Sequence, residues 1–419
     1  MSHQYIFRPK APLLFGQGRP FGSTDRAHTL PMPRPDTVAG AYRAAVADSW
    51  GMKFHKEQQQ KNRIELQRIS VHGPILVRQS QDGGLPTPLF PKPADSAYLS
   101  KQYESAGKLC ESGAKLYHLT PGPVGDGEGN SLDNTEKGLW PVRLMGAPED
   151  HSVGDGSAYW RFDRLIQWLA DPAAMTNGRI SAKALGIDEL PVQQRTQIQI
   201  DGQTNSAKEG VLFGTQAVEF RGIYPDWPPP HRWHIRGEWP NRSSVGHRYG
   251  LLVQSSDGTA AQFRRLGGRG RLTRLASAQG LWPLCPGFLK RSLRGVGGLR
   301  LVLATPGLFK HGWRPDWLRW ENDGWCGSPP GFEGELTLRL RAVAIQHWQT
   351  TPGWDLAEGK AKPLHRAVPA GSVYWFEVET GADALHKLWL QPISDAAPDR
   401  NNGFGLVLPG IWKYWSKED

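Results

Sequence analysis

The sequence has few cysteines and no long apolar run. Its 419 residues include only three cysteines (Cys110, Cys285 and Cys326), and none belongs to a C-x-x-C pair. This scarcity argues against a disulfide framework and against a cysteine-rich zinc site, and it fits a reducing compartment. No stretch approaches the roughly 18 apolar residues of a membrane span, and residues 1–10 lack the apolar core of a signal peptide. We therefore expect a soluble, cytoplasmic protein that makes no membrane contact.

The motifs of several common catalytic chemistries are also missing. The sequence has no Walker A motif, no H-E-x-x-H and no G-x-S-x-G. His231 and His234 form the only close histidine pair, and they lie in a stretch rich in proline and tryptophan without a nearby cysteine or carboxylate cluster. We therefore expect no metal and no cofactor.

The charge balance is basic and is dominated by arginine. Lysine and arginine number 50 against 40 acidic residues, which gives a net charge of +10, and 32 of the 50 are arginine. A basic balance favours nucleic acid or another polyanion as the partner. The planar guanidinium fork suits bidentate and stacking contacts with phosphates and bases.

Residues 258–315 have no acidic residue, although they hold eleven basic ones. At the front of this segment, 263–271 reads F-R-R-L-G-G-R-G-R. Glycines allow close backbone approach and positive φ, and guanidinium groups with exposed N–H groups suit a phosphate chain. We therefore predict contact with an anionic polymer here.

Simpler readings of the same residues stay open at this point. Gly-Gly-Arg-Gly is also what a hairpin tip looks like, and arginines are usually solvated. Tyr249, Phe263 and Trp282 are near enough in sequence to stack on bases, but core packing is the simpler and favoured explanation for each of them. His28, His247 and Tyr249 are the candidates for metal-free RNA cleavage, although nothing in the sequence pairs them.

Periodicity and turn residues predict an α+β fold. We predict strands at 4–8, 71–78, 195–201, 211–221, 247–253, 299–305, 335–345 and 373–378, and helices at 37–46, 158–170 and 382–390. Loops are expected at 56–68, 83–93 and 118–157, which are polar or rich in glycine and proline. The two strands 195–201 and 211–221 form a long hairpin, and the N-terminus of helix 37–46 suits a phosphate. The proline-rich stretch 225–230 marks the best domain boundary, which separates 1–225 from 226–419.

Several stretches together resemble one protein family. They are 12–22 (P-L-L-F-G-Q-G-R-P-F-G), 30–43, 195–221, 266–271, 353–356, 366–374 (R-A-V-P-A-G-S-V-Y) and 403–405. In these segments the chain is similar to the third Cmr subunit of type III-B CRISPR effector complexes, which belongs to the RAMP superfamily. The similarity covers nearly the full length, and the blocks at 12–22 and 366–374 are its more specific parts.

The resemblance implies two ferredoxin-like domains of the RNA-recognition type, with long loop insertions. The hairpin 195–221 would be a protruding thumb over the RNA in the N-terminal domain, and the glycine-rich RNA-binding loop would belong to the C-terminal domain. The implied partners are the 5′ tag of the crRNA, the large polymerase-like subunit, the backbone RAMP subunit and, indirectly, the target RNA. The family often has an acidic residue in the glycine-rich loop, where this chain has Arg269.

The resemblance and the charge pattern together give a set of expected RNA-binding residues. They are Arg19, Arg34, Arg43, Arg195, Lys208, Arg264, Arg265, Gly267, Gly268, Arg269, Gly270, Arg271 and Arg274. We expect a non-catalytic crRNA-binding subunit that caps the 5′ tag and docks the large subunit in antiviral defence. The alternative is a metal-independent crRNA-processing endoribonuclease of the same superfamily.

Overall fold

The structure is a computed structural model. It describes residues 2–16, 26–52, 59–80, 85–105, 108–111, 114–123, 138–147, 151–154, 156–222, 247–321, 324–351, 354–355, 360–361 and 363–413. The predicted domain linker at 225–230, the pair His231 and His234, and Arg19 lie outside these residues.

Helices are few and mostly short. They are α1 (Pro35–Ser49), α2 (Gln59–Arg68), α3 (Phe162–Ala170), α4 (Pro172–Thr176), α5 (Ala182–Leu185), α6 (Gly287–Ser292) and α7 (Ala397–Asn401), with 3-10 turns at Gly268–Gly270 and Ala382–Leu388. Strands are far more numerous. They are β1 (His3–Pro9), β2 (Arg26–Ala27), β3 (Val71–Ser80), β4 (Thr87–Pro91), β5 (Ser96–Ser105), β6 (Lys108–Glu111), β7 (Lys115–Pro121), β8 (Val142–Leu144), β9 (His151–Val153), β10 (Tyr159–Arg161), β11 (Gly186–Ile187), β12 (Val192–Ile200), β13 (Ala207–Val218), β14 (Arg221–Gly222), β15 (His247–Ser255), β16 (Gln262–Arg265), β17 (Leu272–Ser277), β18 (Gly298–Leu303), β19 (Arg319–Glu321), β20 (Gly324–Gly327), β21 (Thr337–Ala344), β22 (Gln349–Thr351), β23 (Trp354–Asp355), β24 (Lys360–Ala361), β25 (His365–Ala367), β26 (Val373–Thr380) and β27 (Val407–Ile411).

The largest sheet has nine strands and takes them from both halves of the chain. Its order is β11-β10-β4-β3-β15-β1-β17-β16, and β14 pairs with β15 at the side. β1 lies between β15 and β17 and is antiparallel to both. The predicted division into 1–225 and 226–419 stays a prediction, but this sheet draws strands from both sides of it.

A second large sheet of six strands follows the order β19-β20-β21-β26-β18-β27 and is antiparallel at every pairing. The main hydrophobic core joins it to one face of the nine-stranded sheet. Ile6, Val77 and Leu252 come from the first sheet, and Leu301 and Trp375 come from the second. With all but one strand pair antiparallel and helices lying outside the sheets, the predicted α+β class is confirmed.

Helix α1 covers the opposite face of the nine-stranded sheet. Val38, Ala39 and Tyr42 on the helix are fully buried against residues such as Phe7 and Leu251. The small side chains of α1 let the helix approach the sheet closely, as its alanine-rich sequence predicts. The two faces of the nine-stranded sheet therefore have different neighbours, and alternate residues of each strand face one or the other.

The predicted hairpin is formed by β12 and β13, which pair antiparallel from Val192–Val218 to Ile198–Leu212. Asp201 closes its tip because the carboxylate accepts the backbone N–H groups of Gln203 and Thr204 at 2.8 and 3.1 Å. Ile198 is 52% exposed. An apolar residue that is exposed in mid-strand indicates that the outer hairpin stands away from the core, although its role as a thumb stays a prediction.

Four local predictions are wrong. The segment 83–93, predicted as a loop, includes strand β4, which pairs with β3. Residues 59–68 form helix α2, because glutamine, lysine, arginine and glutamate are good helix formers even without an apolar stripe. The segment 118–157, predicted as a loop, includes β8 and β9, which pair with β7 and β5. The predicted helix 158–170 begins only at Phe162, since 159–161 pairs as β10 with β4.

No helix in the described ranges is long and apolar enough to cross a membrane.

Candidate nucleic-acid interface

The glycine-rich loop connects the edge strand β16 to its neighbour β17 in the nine-stranded sheet. β16 and β17 pair antiparallel, and the loop between them holds Gly267, Gly268 and Gly270. Gly267 has φ +74°, and a Cβ atom there would lie 2.6 Å from the carbonyl oxygen of Leu14. The Gly268 N–H donates to that same oxygen at 2.8 Å. Close packing on the segment 13–16 is therefore one reason for the first two glycines, and their contact with RNA stays a prediction.

Strand register places Arg8, Arg274 and Phe263 in one row across the sheet. Arg8 of β1 is opposite Arg274 of β17, which is opposite Phe263 of β16. Residues directly opposite each other in antiparallel strands share a face. Ile6 and Val77 lie on the same face and pack against the six-stranded sheet. The row of Arg8, Arg274 and Phe263 lies on this face outside its buried part.

A second row on the same face adds more positive charge. Arg248 of β15 is opposite Arg221 of β14 on one side and opposite Gln79 of β3 on the other. Lys10 follows Arg8 by two residues, and its N–H donates to the carbonyl of Leu272, whose cross-strand partner is Arg265. This end of the face, which we call the basic face, carries six cations. They are Arg8, Lys10, Arg221, Arg248, Arg265 and Arg274.

Five of these cations line one small cavity of about 100 Å³. Arg8, Lys10, Arg221, Arg248 and Arg274 contribute its walls, and none of its lining residues is acidic. Gly250 lies at its floor, where a Cβ atom would meet the Ile6 side chain at 2.8 Å. The cavity holds about three waters' worth of liquid volume, which is room for one tetrahedral oxyanion.

No acidic side chain among the described residues lines this cavity. Arg8 Nε is buried and has no hydrogen-bond partner among the residues that the structure describes. Burial lowers the pKa of Arg8, and the neighbouring charges of Arg274 and Arg248 lower it further. The carboxylate of Glu219 accepts the backbone N–H of Arg221, not its guanidinium. Mutual repulsion of this kind is relieved when an anion binds.

Three of the predicted RNA-binding arginines bind other parts of the chain. Arg264 faces the opposite side of the sheet from Arg265 and forms an ion pair with Asp48 of α1. Arg34 pairs with Asp36 at 3.1 Å. This carboxylate occupies the first turn of α1, the terminus for which we predicted a phosphate.

Arg43 joins α1 to the end of the chain. Its guanidinium donates to the carbonyls of Ile69 and Asn401 and to the Asn402 side chain. Burial lowers its pKa to about 10. All of its donor atoms thus have partners within the protein.

Of the remaining predicted residues, some are at least partly exposed to solvent and others lie outside the described residues. Arg265 and Arg274 are exposed on the basic face, Gly270 is exposed in the loop, and Arg271 is half-buried beside it. Arg195 is exposed on the hairpin, where its Nε donates to Gln193 at 3.0 Å. Arg19 and the side chains of Lys208 and Arg269 lie outside the described residues.

The structure separates the three candidate stacking residues. Tyr249 and Trp282 are each 6% exposed and belong to the core. Phe263 is 58% exposed on the edge strand. Of the three, Phe263 is therefore the one whose ring is accessible to a base.

Two of the candidate cleavage residues, His28 and Tyr249, differ in their surroundings. His28 contacts Gln216 at 3.1 Å, and Tyr249 is buried with a raised pKa. In the described part of the chain, no group of three or more histidine, cysteine or acidic residues has the spacing of a metal site.

The sequence reasoning missed Arg8, Lys10, Arg221 and Arg248, because they lie outside the segment 258–315. Arg8 and Arg248 carried a local signal. Arg8 lies on the same strand face as buried Ile6 in β1, and Arg248 lies on the same face as buried Leu252 in β15. A charged residue on a face that is otherwise buried is unusual and indicates a functional role for the charge.

The family model described as CRISPR-associated protein (Cas_Cmr3) matches residues 5–412. The match spans nearly the whole chain, so the protein is CRISPR-associated. It belongs to the Cas_Cmr3 family, which confirms the resemblance found from the sequence motifs.

Solved structures give weaker similarity, and curated proteins give none. A chain in a cryo-EM structure of the type III-B Cmr-beta complex bound to cognate target RNA is 14% identical, with a TM-score of 0.43 over 89% of this chain and 86% of that one. A chain in the same complex with target RNA and AMPPnP is also 14% identical over the same shares, with a TM-score of 0.44. No curated protein matches the sequence.

Proposed function

We propose that this protein is the crRNA-binding subunit of a type III-B CRISPR effector complex, where it caps the 5′ tag of the crRNA without catalysing cleavage. The observation that carries the proposal is the basic face, where six cations share one end of a sheet with no acidic residue in the cavity that five of them line. Membership of the Cas_Cmr3 family supports the same function.

The physical argument rests on phosphate charge. Each lysine or arginine that neutralises a phosphate releases a condensed counterion, which makes RNA affinity fall steeply as salt rises. An arginine already paired with a carboxylate within the protein gains less from a phosphate. For this reason we assign the contact to Arg265 and Arg274 on the basic face in preference to Arg264, which pairs with Asp48.

Binding of a labelled crRNA to the full chain tests this assignment with two neighbouring residues. Arg265→Ala should weaken binding several-fold and reduce the salt slope, whereas Arg264→Ala, on the opposite face, should leave both nearly unchanged. An RNA that lacks the repeat-derived 5′ tag is the control for tag recognition. Equal affinity for tagged and untagged RNA would contradict capping of the tag.

The fold assignment at finer detail is also a proposal. We propose two ferredoxin-like domains, with the β12–β13 hairpin lying over the RNA as a thumb. The exposed side chains of β12, such as Ile198 at 52%, support this placement. Arg195→Ala should lower RNA affinity in the assembled complex, and a variant shortened by the tip 202–206 should lower it further.

The absence of catalysis is tested directly. Purified protein is incubated with repeat RNA in EDTA, and the RNA length is followed on a denaturing gel. We expect intact RNA. Metal-independent cleavage that disappears in His28→Ala or His247→Ala would establish the endoribonuclease alternative instead.

We further propose that the protein docks the large polymerase-like subunit and the backbone RAMP subunit, and meets target RNA only through the assembled guide. Exposed tryptophans around the six-stranded sheet support a protein interface there, since Trp320 is 42% and Trp348 is 56% exposed. Co-purification of the subunits with Trp320→Ala and Trp348→Ala variants tests this surface. Full retention of both partners by both variants would exclude it.

A further inference from the structure

We propose that the basic face holds one nucleotide as a unit, with its phosphate in the five-cation cavity and its base stacked on Phe263. This inference rests on the proposed RNA-binding function and assigns it a particular site. The chemical class of the ligand is a nucleoside phosphate within a single strand.

The cavity defines the phosphate end. Arg8 supplies a buried Nε without a partner in the described residues, so it offers a donor that a phosphate oxygen can accept. Arg248 and Arg274 flank it closely enough to lower the pKa of Arg8 by their charges. Gly250 lines this cavity with backbone alone, since a Cβ atom there would lie 2.8 Å from the Ile6 side chain.

Phe263 defines the base end. It is directly opposite Arg274 in the register of β16 and β17, so the ring stands one strand spacing, about 4.8 Å, from the cavity wall. In a nucleotide, a single ribose separates phosphate from base, which is a distance of the same order. β16 is the last strand of the sheet, so the ring has open space on its outer side.

The surroundings favour a base over an apolar protein segment. Next to Phe263 on this face are Arg265 and Arg274, whose guanidinium planes also stack on bases. An apolar segment would leave these guanidinium groups without an anionic partner, whereas sites for single-stranded nucleic acid combine an aromatic platform with a cationic groove. A base is therefore the occupant that these surroundings favour.

The experiment measures binding of single-stranded RNA to the full chain by fluorescence anisotropy across a salt series. Arg248→Ala combined with Arg274→Ala should reduce the slope of log K against log salt by about 0.7, which corresponds to one phosphate contact. Phe263→Ala should weaken binding about 5- to 150-fold. Phe263→Trp should restore it, but Phe263→Leu should not, because leucine keeps the apolar contact without a ring face.

Two matched variants control for exposure and charge. Phe288 is 46% exposed in α6, and Arg294 is an exposed cation outside the cavity lining. Phe288→Ala and Arg294→Ala should bind RNA like the wild type. Far-UV circular dichroism of every variant checks that folding is unchanged.

Photocrosslinking identifies the stacked base independently of affinity. RNA that carries 5-iodouridine should crosslink to the peptide containing Phe263, and Phe263→Ala should abolish that crosslink. If wild-type protein binds RNA but the cavity variants keep its salt slope and no Phe263 crosslink forms, the nucleotide site is wrong while the proposed function stands. Full rescue by Phe263→Leu would likewise replace base stacking with apolar docking.

If the wild type binds no RNA, the proposed function fails, and a mononucleotide decides the inference. Titration with 5′-AMP, with adenosine and inorganic phosphate as separate probes, should then show binding that requires both halves of the molecule. Loss of that binding in Phe263→Ala supports the site. The absence of any 5′-AMP binding overturns it.

Discussion

The buried ion pair between Arg300 and Asp95 gives the sharpest stability prediction. Arg300 on β18 is 2% exposed and Asp95 is fully buried. The guanidinium also donates to the carbonyls of Ile411 and Trp168 at 2.9 and 2.7 Å, and the Trp168 indole donates to Asp95 at 2.8 Å. This network connects α3 to the six-stranded sheet.

Arg300→Met should destabilise the protein by about 3–5 kcal/mol, because it leaves the Asp95 carboxylate buried without a counter-charge. Asp95→Asn should cost a similar amount for the converse reason. The double variant removes both charges, so its cost should be smaller than the sum of the single costs by about 1–3 kcal/mol.

Urea unfolding measures these differences, with tryptophan fluorescence and far-UV circular dichroism as two probes of each transition. Lys387→Met is the control. Lys387 and Glu335 also form an ion pair, but their side chains are 53% and 44% exposed, and such pairs contribute about 0–1 kcal/mol. If Arg300→Met costs no more than Lys387→Met, or if the two single costs add in the double variant, the network does not stabilise the fold as argued.

Three further outcomes follow from particular positions. Gly267→Ala should destabilise the protein by at least about 1 kcal/mol more than Gly270→Ala in thermal unfolding, because both have positive φ but only Gly267 meets backbone, at Leu14 O; equal costs would show that Leu14 yields freely. Arg43→Lys should cost about 1–3 kcal/mol in the same measurement, since an ammonium group cannot reach all the carbonyls that the guanidinium fork bonds; a thermal midpoint like the wild type's would contradict the joining role. Burial lowers the pKa of His72 below its ordinary 6.5, so stability should fall as pH drops below 6.5, by up to about 1.4 kcal/mol per pH unit, until the folded-state pKa is reached. His72→Gln should flatten that part of a stability–pH curve, and an unchanged slope would assign the dependence to other groups.

Strong local patterns made part of the fold predictable. The run from His247 alternates little but ends in the apolar residues Leu251, Leu252 and Val253, and the predicted strand 247–253 is observed as β15 (His247–Ser255). Helix α1 was predicted within a few residues of its bounds from a proline start and small residues on one face. The absence of acidic residues around the glycine-rich loop also located one edge of the basic face.

Long-range pairing could not be predicted. Arg8 and Arg248 are 240 positions apart, and only the register of β1, β15 and β17 brings them to one cavity. A count of basic residues also cannot show which have internal partners. Arg300 contributed to the basic character of 258–315, yet it is buried and paired within the fold.

The position of β1 has a consequence for synthesis in the cell. Both of its neighbours, β15 and β17, lie more than 240 residues later in the chain. At roughly 5–20 residues per second, the ribosome takes about 12–50 s to synthesise these intervening residues. During that time neither edge of the apolar strand β1 has its hydrogen-bonding partner. Closing so long a loop is slow. We therefore expect the nascent chain to depend on chaperones until residue 277 has left the exit tunnel, and fragments that end before 247 to aggregate.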